Sequence, residues 1–236
     1  MLYNLIRKSL PARRHDMEEF TIRHLLKGSE LEQLHFTPLQ KELIFKELRY
    51  RMRANLNTLS SLFGLQLLYA QRNDDAVGTD LLRSNKRRIN IFSLLHETRF
   101  SQLRSAEAFE SYIRQIIRIV EEESGLQMPL AIEIADDALP ESDHMSTIGA
   151  IIAELHAASL HLATARQQEE TAQLSLFRSE DGYRFVYHLR GDYQDRYREL
   201  TSTDTVAMKL VALHVRQLKG RMTIQDNHGL AVTIVF

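Results

Sequence analysis

The chain has no cysteine and no tryptophan, and its 236 residues include only four prolines and nine glycines. Without cysteine there is no disulfide, no zinc–thiolate centre and no iron–sulfur cluster. Scarce glycine and proline argue against many tight turns and for long helices. An excess of either charge is also missing. Lys plus Arg number 30 against 31 Asp plus Glu, a net charge of −1. A general nucleic-acid binder carries a large basic excess, so that class is not expected. No apolar run approaches the roughly 20 residues a membrane helix needs. The opening MLYNLIRKSLPARRHD lacks the apolar core, about 7–15 residues long, of a signal peptide. Membrane insertion is therefore not expected, and the cytoplasm is the expected location. What is present is a globular balance, 44% hydrophobic and 26% charged, long enough for one large domain or two small ones.

Residues 1–38 read as a helical extension broken at Gly28-Ser29, either an appendage packed on the main body or an input helix. Thr37-Pro38 then forms a helix start, with Thr as cap and Pro in the first turn. Leu48, Met52, Leu56, Leu59 and Phe63 recur at steps of three and four, and at about 100° per residue they form one stripe. Asn73-Asp74-Asp75 and Gly78 break this helix, and a second is expected from about Thr79 to Leu103. Its stripe is Leu82, Ile89, Phe92, His96, Phe100 and Leu103. Such a pair forms an antiparallel hairpin over residues 39–105. One hairpin cannot cover both stripes, so a homodimer with a four-helix bundle is expected, its contacts made by Leu48, Met52, Leu56, Leu59 and Phe63.

The texture changes over residues 106–236. Helical patterns run from Ala106 to Gly125, from about Ile148 to Leu162 and from Thr205 to Leu218. Alternation at Leu130, Ile132 and Ile134 predicts a strand, and hairpins are expected over 172–189 and 221–236. Helices on one face of a mixed sheet make an α+β fold, an α/β sandwich following the hairpin.

Four segments in this order resemble the sensor histidine kinases of the H-R-x-K-N type. KELIFKELRYRMRANLNTLSSLFGLQLL (41–68) is similar to the first hairpin helix, through Lys46, Glu47, Leu48, Arg51, Asn55, Leu56, Ser60, Ser61 and Leu62. KRRINIFSLLHETRF (86–100) is similar to the second helix, TIGAIIAELHAASLHLAT (147–164) to the ATPase helix, and residues 210–236 to the ATPase C-terminus. The resemblance covers residues 39–236. It implies a dimerisation hairpin followed by an ATPase domain.

The residues that carry the family's chemistry are replaced. Tyr50 stands where the resemblance places the phosphate-accepting histidine, and no histidine occurs from 36 to 95. A phenol is a poor nucleophile at neutral pH beside imidazole. Tyr50 lies about 160° from the apolar stripe and is expected to point outward. The magnesium-binding asparagine of the ATPase helix is Ala158, a second asparagine is Ala153, and the Lys-His pair is His161-Leu162, although Glu154 matches. Magnesium needs an oxygen ligand that alanine lacks. The adenine-binding Asp-Gly-rich turn reads Arg190-Gly191-Asp192-Tyr193, and no glycine occurs between Gly191 and Gly220 to cradle phosphates.

The resemblance with these losses implies a pseudokinase: not an enzyme, with no cofactor and no metal, acting by binding. Its expected partners are a response-regulator receiver domain or another histidine kinase. The expected dock is the outward face carrying Tyr50, Arg51, Arg53, Ala54, Asn57, Thr58 and Ser61. Two alternatives remain open: a histidine phosphotransferase with a degenerate ATPase domain, which would have to use His96, and a nucleotide sensor that binds without hydrolysis. His96 itself reads as a packed bundle residue, and Lys86-Arg87-Arg88 as a solvated basic face. His156 and His161, five apart, are wrongly spaced for one metal. No other hydrolase, zinc or nucleotide-loop motif is present.

Overall fold

The computed structural model describes residues 37–98, 100–163, 171–180, 182–190, 205–226 and 229–236. Residues 1–55 and 56–236 separate into two compact units, and of the first the described part is 37–55. The expected broken helix over 1–36 lies outside the described residues, as do 191–204, which hold the expected Gly191–Tyr193 turn and part of the glycine-free stretch before Gly220.

Helix α1 spans Pro38–Arg72. Thr37 and Gln40 cap it reciprocally. The Gln40 N–H donates to Thr37 Oγ1 at 3.3 Å and the Thr37 N–H to Gln40 Oε1 at 2.9 Å, a capping box that satisfies two groups at the helix start. The helix ends in a short turn at Asn73–Asp75. Helix α2 spans Ala76–Glu97, with the Asp75 side chain accepting from Gly78 N–H. It starts three residues earlier than expected, because Asp75 caps the helix rather than breaking it. It also ends six residues short of the expected Leu103. Thr98 is extended, and a separate 3₁₀ turn covers Phe100–Gln102. Within the second unit, Ser60 Oγ donates to Asn90 Oδ1 at 2.7 Å, and Gly64 lies beside the Lys86 stem. These opposed pairings make residues 56–97 an antiparallel hairpin.

The layer after it contains α3 (Ala106–Ser124), β1 (Leu130–Ile134), α4 (Ser142–Ala163), β2 (Thr171–Ser179), β3 (Gly182–Arg190), α5 (Val206–Gln217), β4 (Arg221–Asp226) and β5 (Gly229–Val235). Ser105 caps α3 by accepting from Ala108 N–H, and Gly125 closes it in the left-handed region at φ 71°, a conformation glycine adopts without penalty. The sheet order is β1-β2-β3-β5-β4. β1 runs parallel to β2, with Ile132 opposite Leu174, and all other pairs are antiparallel. A parallel neighbour needs a crossover, and α4 supplies it. The fold is α+β with a mixed sheet, as the sequence pattern predicts.

Phe109, Ile113 and Ile116 of α3 pack with Ile148, Ile151 and Ile152 of α4 and with Leu174, Phe185 and Ile234 of the sheet, all buried. Each such side chain contributes roughly 1.5–3 kcal/mol of burial free energy. α3 and α4 approach closely at Gly149, where a Cβ would collide with the Tyr112 hydroxyl and Ile116 Cδ1. Tyr112 is buried there with its hydroxyl unpaired among the described residues, and burial pushes its pKa up.

Candidate functional site

α1 presents its apolar stripe to solvent. Leu48, Met52 and Leu59 are 43–47% exposed in the single chain, and Leu56 and Phe63 are half-buried. Leu39, Leu62, Leu65 and Leu68 are exposed as well. The stripe from Leu48 to Phe63 lies on one side of the helix, while Leu39, Leu65 and Leu68 lie on the other, and a half-exposed apolar stripe of this kind marks an interaction face. Tyr50 is exposed, as are Arg51, Arg53, Ala54, Asn57, Thr58 and Ser61 along the same helix. Arg51 is tied by its Nε to Glu47 Oε1 at 2.8 Å, and Ser61 Oγ donates to the Asn57 carbonyl at 2.9 Å.

On α2 the structure corrects two expectations. Lys86-Arg87-Arg88 is not a solvated face. Lys86 Nζ reaches both oxygens of Glu123 on α3, at 2.8 and 3.0 Å. Arg88 donates from Nε to Glu154 Oε1 at 2.7 Å and from a terminal nitrogen to Oε2 at 3.0 Å. This two-pronged geometry is the strong form of an Arg–carboxylate pair. The acidic partners lie 37 and 66 residues away, so local sequence could not show them. Asn90 extends the network, donating to Glu123 at 2.7 Å while accepting from Ser60. His96 is exposed in the single chain, its ring 4.8 Å from that of Phe92. Phe100 and Leu103, assigned to its stripe, pack instead on the core of the layer. The face of α2 that meets the layer is Arg88, Ile91 and Leu95, a stripe the sequence reading missed. Its spacing of three and four is visible in the sequence once two faces are sought.

α4 carries the positions to which the resemblance assigns metal and nucleotide chemistry. Ala153 is buried and Ala158 half-buried. Glu154 is buried and fully engaged by Arg88. Neither alanine offers an oxygen or nitrogen to a ligand. Tyr193 lies outside the described residues. No group of three or more His, Asp or Glu among the described residues could hold a metal.

His156, one helical turn before Leu160, is completely buried. Its Nδ1 is 3.1 Å from the Tyr187 hydroxyl of β3, and its Nε2 is 3.4 Å from Glu121 Oε1 of α3. Burial lowers the imidazole pKa, and the nearby Glu121 carboxylate opposes that shift. Burial also raises Tyr187 above the usual phenol range, against a hydrogen bond from Ser159. The arrangement resembles an acid–base triad in composition. Its ring is wholly enclosed, with Nε2 making no hydrogen bond among the described residues, so it links α4 to β3 through Tyr187 rather than meeting a substrate. The sequence reading weighed His156 only as a metal ligand.

No family model matches the chain. In sequence it is 22% identical over 200 residues to sensor histidine kinase PdtaS of Mycobacterium tuberculosis, a match covering 84% of this chain and 39% of that protein. The chain thus spans about two fifths of that relative's length. Among solved structures it is similar to the Erythrobacter litoralis EL346 blue-light activated histidine kinase. The TM-score is 0.55 at 16% identity, with 84% of this chain and 59% of that one covered. The histidine kinase domain of the same protein gives a TM-score of 0.48 at 16% identity, covering 74% of this chain and 94% of that one. No helix among the described residues is long and apolar enough to cross a membrane. In sequence and in fold, the chain is histidine-kinase-like.

Proposed function

We propose that the chain is a catalytically silent, histidine-kinase-like signalling component of a two-component pathway, acting by protein binding in the cytoplasm. It divides into an N-terminal extension (1–38), a dimerisation hairpin (39–105) and an ATPase-like domain (106–236). The observation that carries this reading is the fate of Glu154. It is the carboxylate retained from the family pattern, and Arg88 occupies both its oxygens. Beside it, Ala153 and Ala158 replace the amides. A carboxylate held in a two-pronged ion pair is a poor base and a poor metal ligand. Leu48, Met52, Leu56, Leu59 and Phe63 form the contact between two copies. The outward residues Tyr50, Arg51, Arg53, Ala54, Asn57, Thr58 and Ser61 take a receiver domain or another histidine kinase, the arginines meeting acidic groups.

The test is labelling from radioactive ATP. Wild type and Tyr50→His should both stay unlabelled, because the variant restores only an acceptor. Forward labelling of Tyr50→His would sink the silent-ATPase reading. Reverse labelling of the same variant from a phosphorylated receiver would identify the partner and support the dock.

A second reading has one observation in its favour: His96 is exposed and followed by Glu97. An accessible imidazole could accept a phosphoryl group from a receiver, making the chain a phosphotransferase. Wild type would then be labelled by a phosphorylated receiver, and His96→Gln would not. Absence of such labelling with every receiver that binds would remove this reading.

A further inference from the structure

A cavity of about 440 Å³ opens between α2, α4 and the start of α5. Its size falls within the range of small-molecule pockets. Arg83, Arg87 and Arg88 line one wall. Two of these charges are already compensated. Arg83 pairs with Asp80 at 3.2 Å, and Arg88 with Glu154 at 2.7 Å. The nearby Glu123 is held by Lys86. Arg87 is half-buried, and no hydrogen bond or ion pair to it is found among the described residues. Its guanidinium loses hydration to burial, and only the spent carboxylates of Glu154 and Glu123 offset this at longer range. A guanidinium cannot escape by deprotonating at physiological pH. Partial desolvation of an uncompensated charge is costly, so an anion brought to it gains an unusually strong charge-assisted hydrogen bond.

The remaining walls select what accompanies that anion. Leu126, Ala158 and Ala207 contribute apolar surface. Thr205, the cap of α5, stands at the rim. Helix α5 is twelve residues long, and the positive end of its dipole adds modestly to the same potential. His161 also lines the cavity. With alanine at 158, the α4 side of the cavity offers no side-chain oxygen for magnesium.

We propose that this cavity binds a small anion with an apolar body and a single carboxylate or phosphate head, without magnesium, with Arg87 as the residue that holds the head. The site differs from a nucleotide–magnesium site in its cation, which comes from the hairpin helix rather than from a metal. Because α2 forms one wall and α4 with α5 the others, such a ligand bridges hairpin and layer. This assignment does not rest on the signalling function proposed above.

Calorimetry on the full chain with phenyl phosphate and with benzoate, in magnesium-free buffer, tests it. At least one probe should bind saturably. Loss of the charged contact in Arg87→Gln should weaken binding about tenfold or more. Ala158→Leu, which fills the cavity without changing its charge, should do the same, and it decides the matter if Arg87→Gln does not fold. Arg114→Gln, which removes a guanidinium paired with Glu110 on α3, should leave binding unchanged. The preferred probe identifies the head as phosphate or carboxylate. No saturable binding below about 10 mM, equal binding in wild type and both cavity variants, or a requirement for magnesium would each overturn the assignment.

Discussion

Leu48, Met52 and Leu59 on α1 are 43–47% exposed, whereas Phe109, Ile113 and Ile116 on α3 are 0% exposed. Both helices carry large apolar residues at steps of three and four. α3 has a sheet and a second helix to cover its stripe, whereas among the described residues the α1 stripe stays partly exposed. α2 stands between these cases. Its Arg88–Ile91–Leu95 face is used by the layer, and its Phe92–His96 face is open. Periodicity therefore says that a helix has an apolar face, not who covers it. In the layer the face serves stability, and in the hairpin it is available for association.

The largest effects should separate these two uses. Phe109→Ala should cost about 3–5 kcal/mol in chemical unfolding, the range for a truncated, fully enclosed aromatic. Leu56→Asp with Leu59→Asp should instead convert a dimer into a monomer or an aggregate, while the layer keeps its unfolding transition. A denaturant melt reads the loss of stability and light scattering the change of oligomeric state. A wild-type chain that is monomeric and well folded at micromolar concentration would break the dimer half of the comparison.

Glu154→Ala probes the joint between the regions. It leaves Arg88 partly buried without its carboxylate. The expected loss is about 2–3 kcal/mol, below the range for a fully enclosed pair because Arg88 reaches solvent. A loss near zero would mean that α2 is held by Ile91 and Leu95 alone. Gly149→Ala should cost about 1–3 kcal/mol, since the added methyl drives Tyr112 and Ile116 from their seats.

The smallest effect is pH-dependent. His156 has its pKa lowered in the folded chain by burial, against about 6.5 when unfolded. The unfolded chain then binds more protons in that range, so stability is full above about pH 6.5 and falls as pH drops through the folded-state value. Burial also lowers His188, with Arg190 adding to the shift, so some acid sensitivity should persist without His156. Melts of wild type and His156→Gln between pH 5 and pH 8 should show a shallower slope in the variant. Equal slopes would mean that Glu121 compensates the protonated imidazole.

Much of this was legible locally. The Thr37-Pro38 start, the Gly125 stop and the period-two alternation of β1 are set by neighbours in the chain. The C-terminus of α2 was not, because apolar residues continue in register through Phe100 and Leu103 after the backbone has left the helix at Thr98. The ion pairs of Lys86 and Arg88 were hidden for a different reason. A basic triplet looks the same whether solvated or paired, and its partners belong to helices formed later in the chain. The buried polar tie of His156 was equally hidden, since Glu121 and Tyr187 lie far from it in sequence. The family-derived positions fared unevenly: Ala153, Glu154 and Ala158 share one helix and could be judged by geometry, while Tyr193 could not.

The ends of the sheet carry a consequence of their own. β1 has five residues and β4 six, and among the described residues each leaves one side of its backbone without a neighbouring strand. Glu133 on β1 and Arg221 on β4 are exposed. Short borders bearing charge resist the addition of a further strand, because a newcomer must desolvate those groups to pair. Growth of the sheet from chain to chain is disfavoured at both borders, which protects a crowded solution of these molecules from strand-wise polymerisation even while their helices stay sticky.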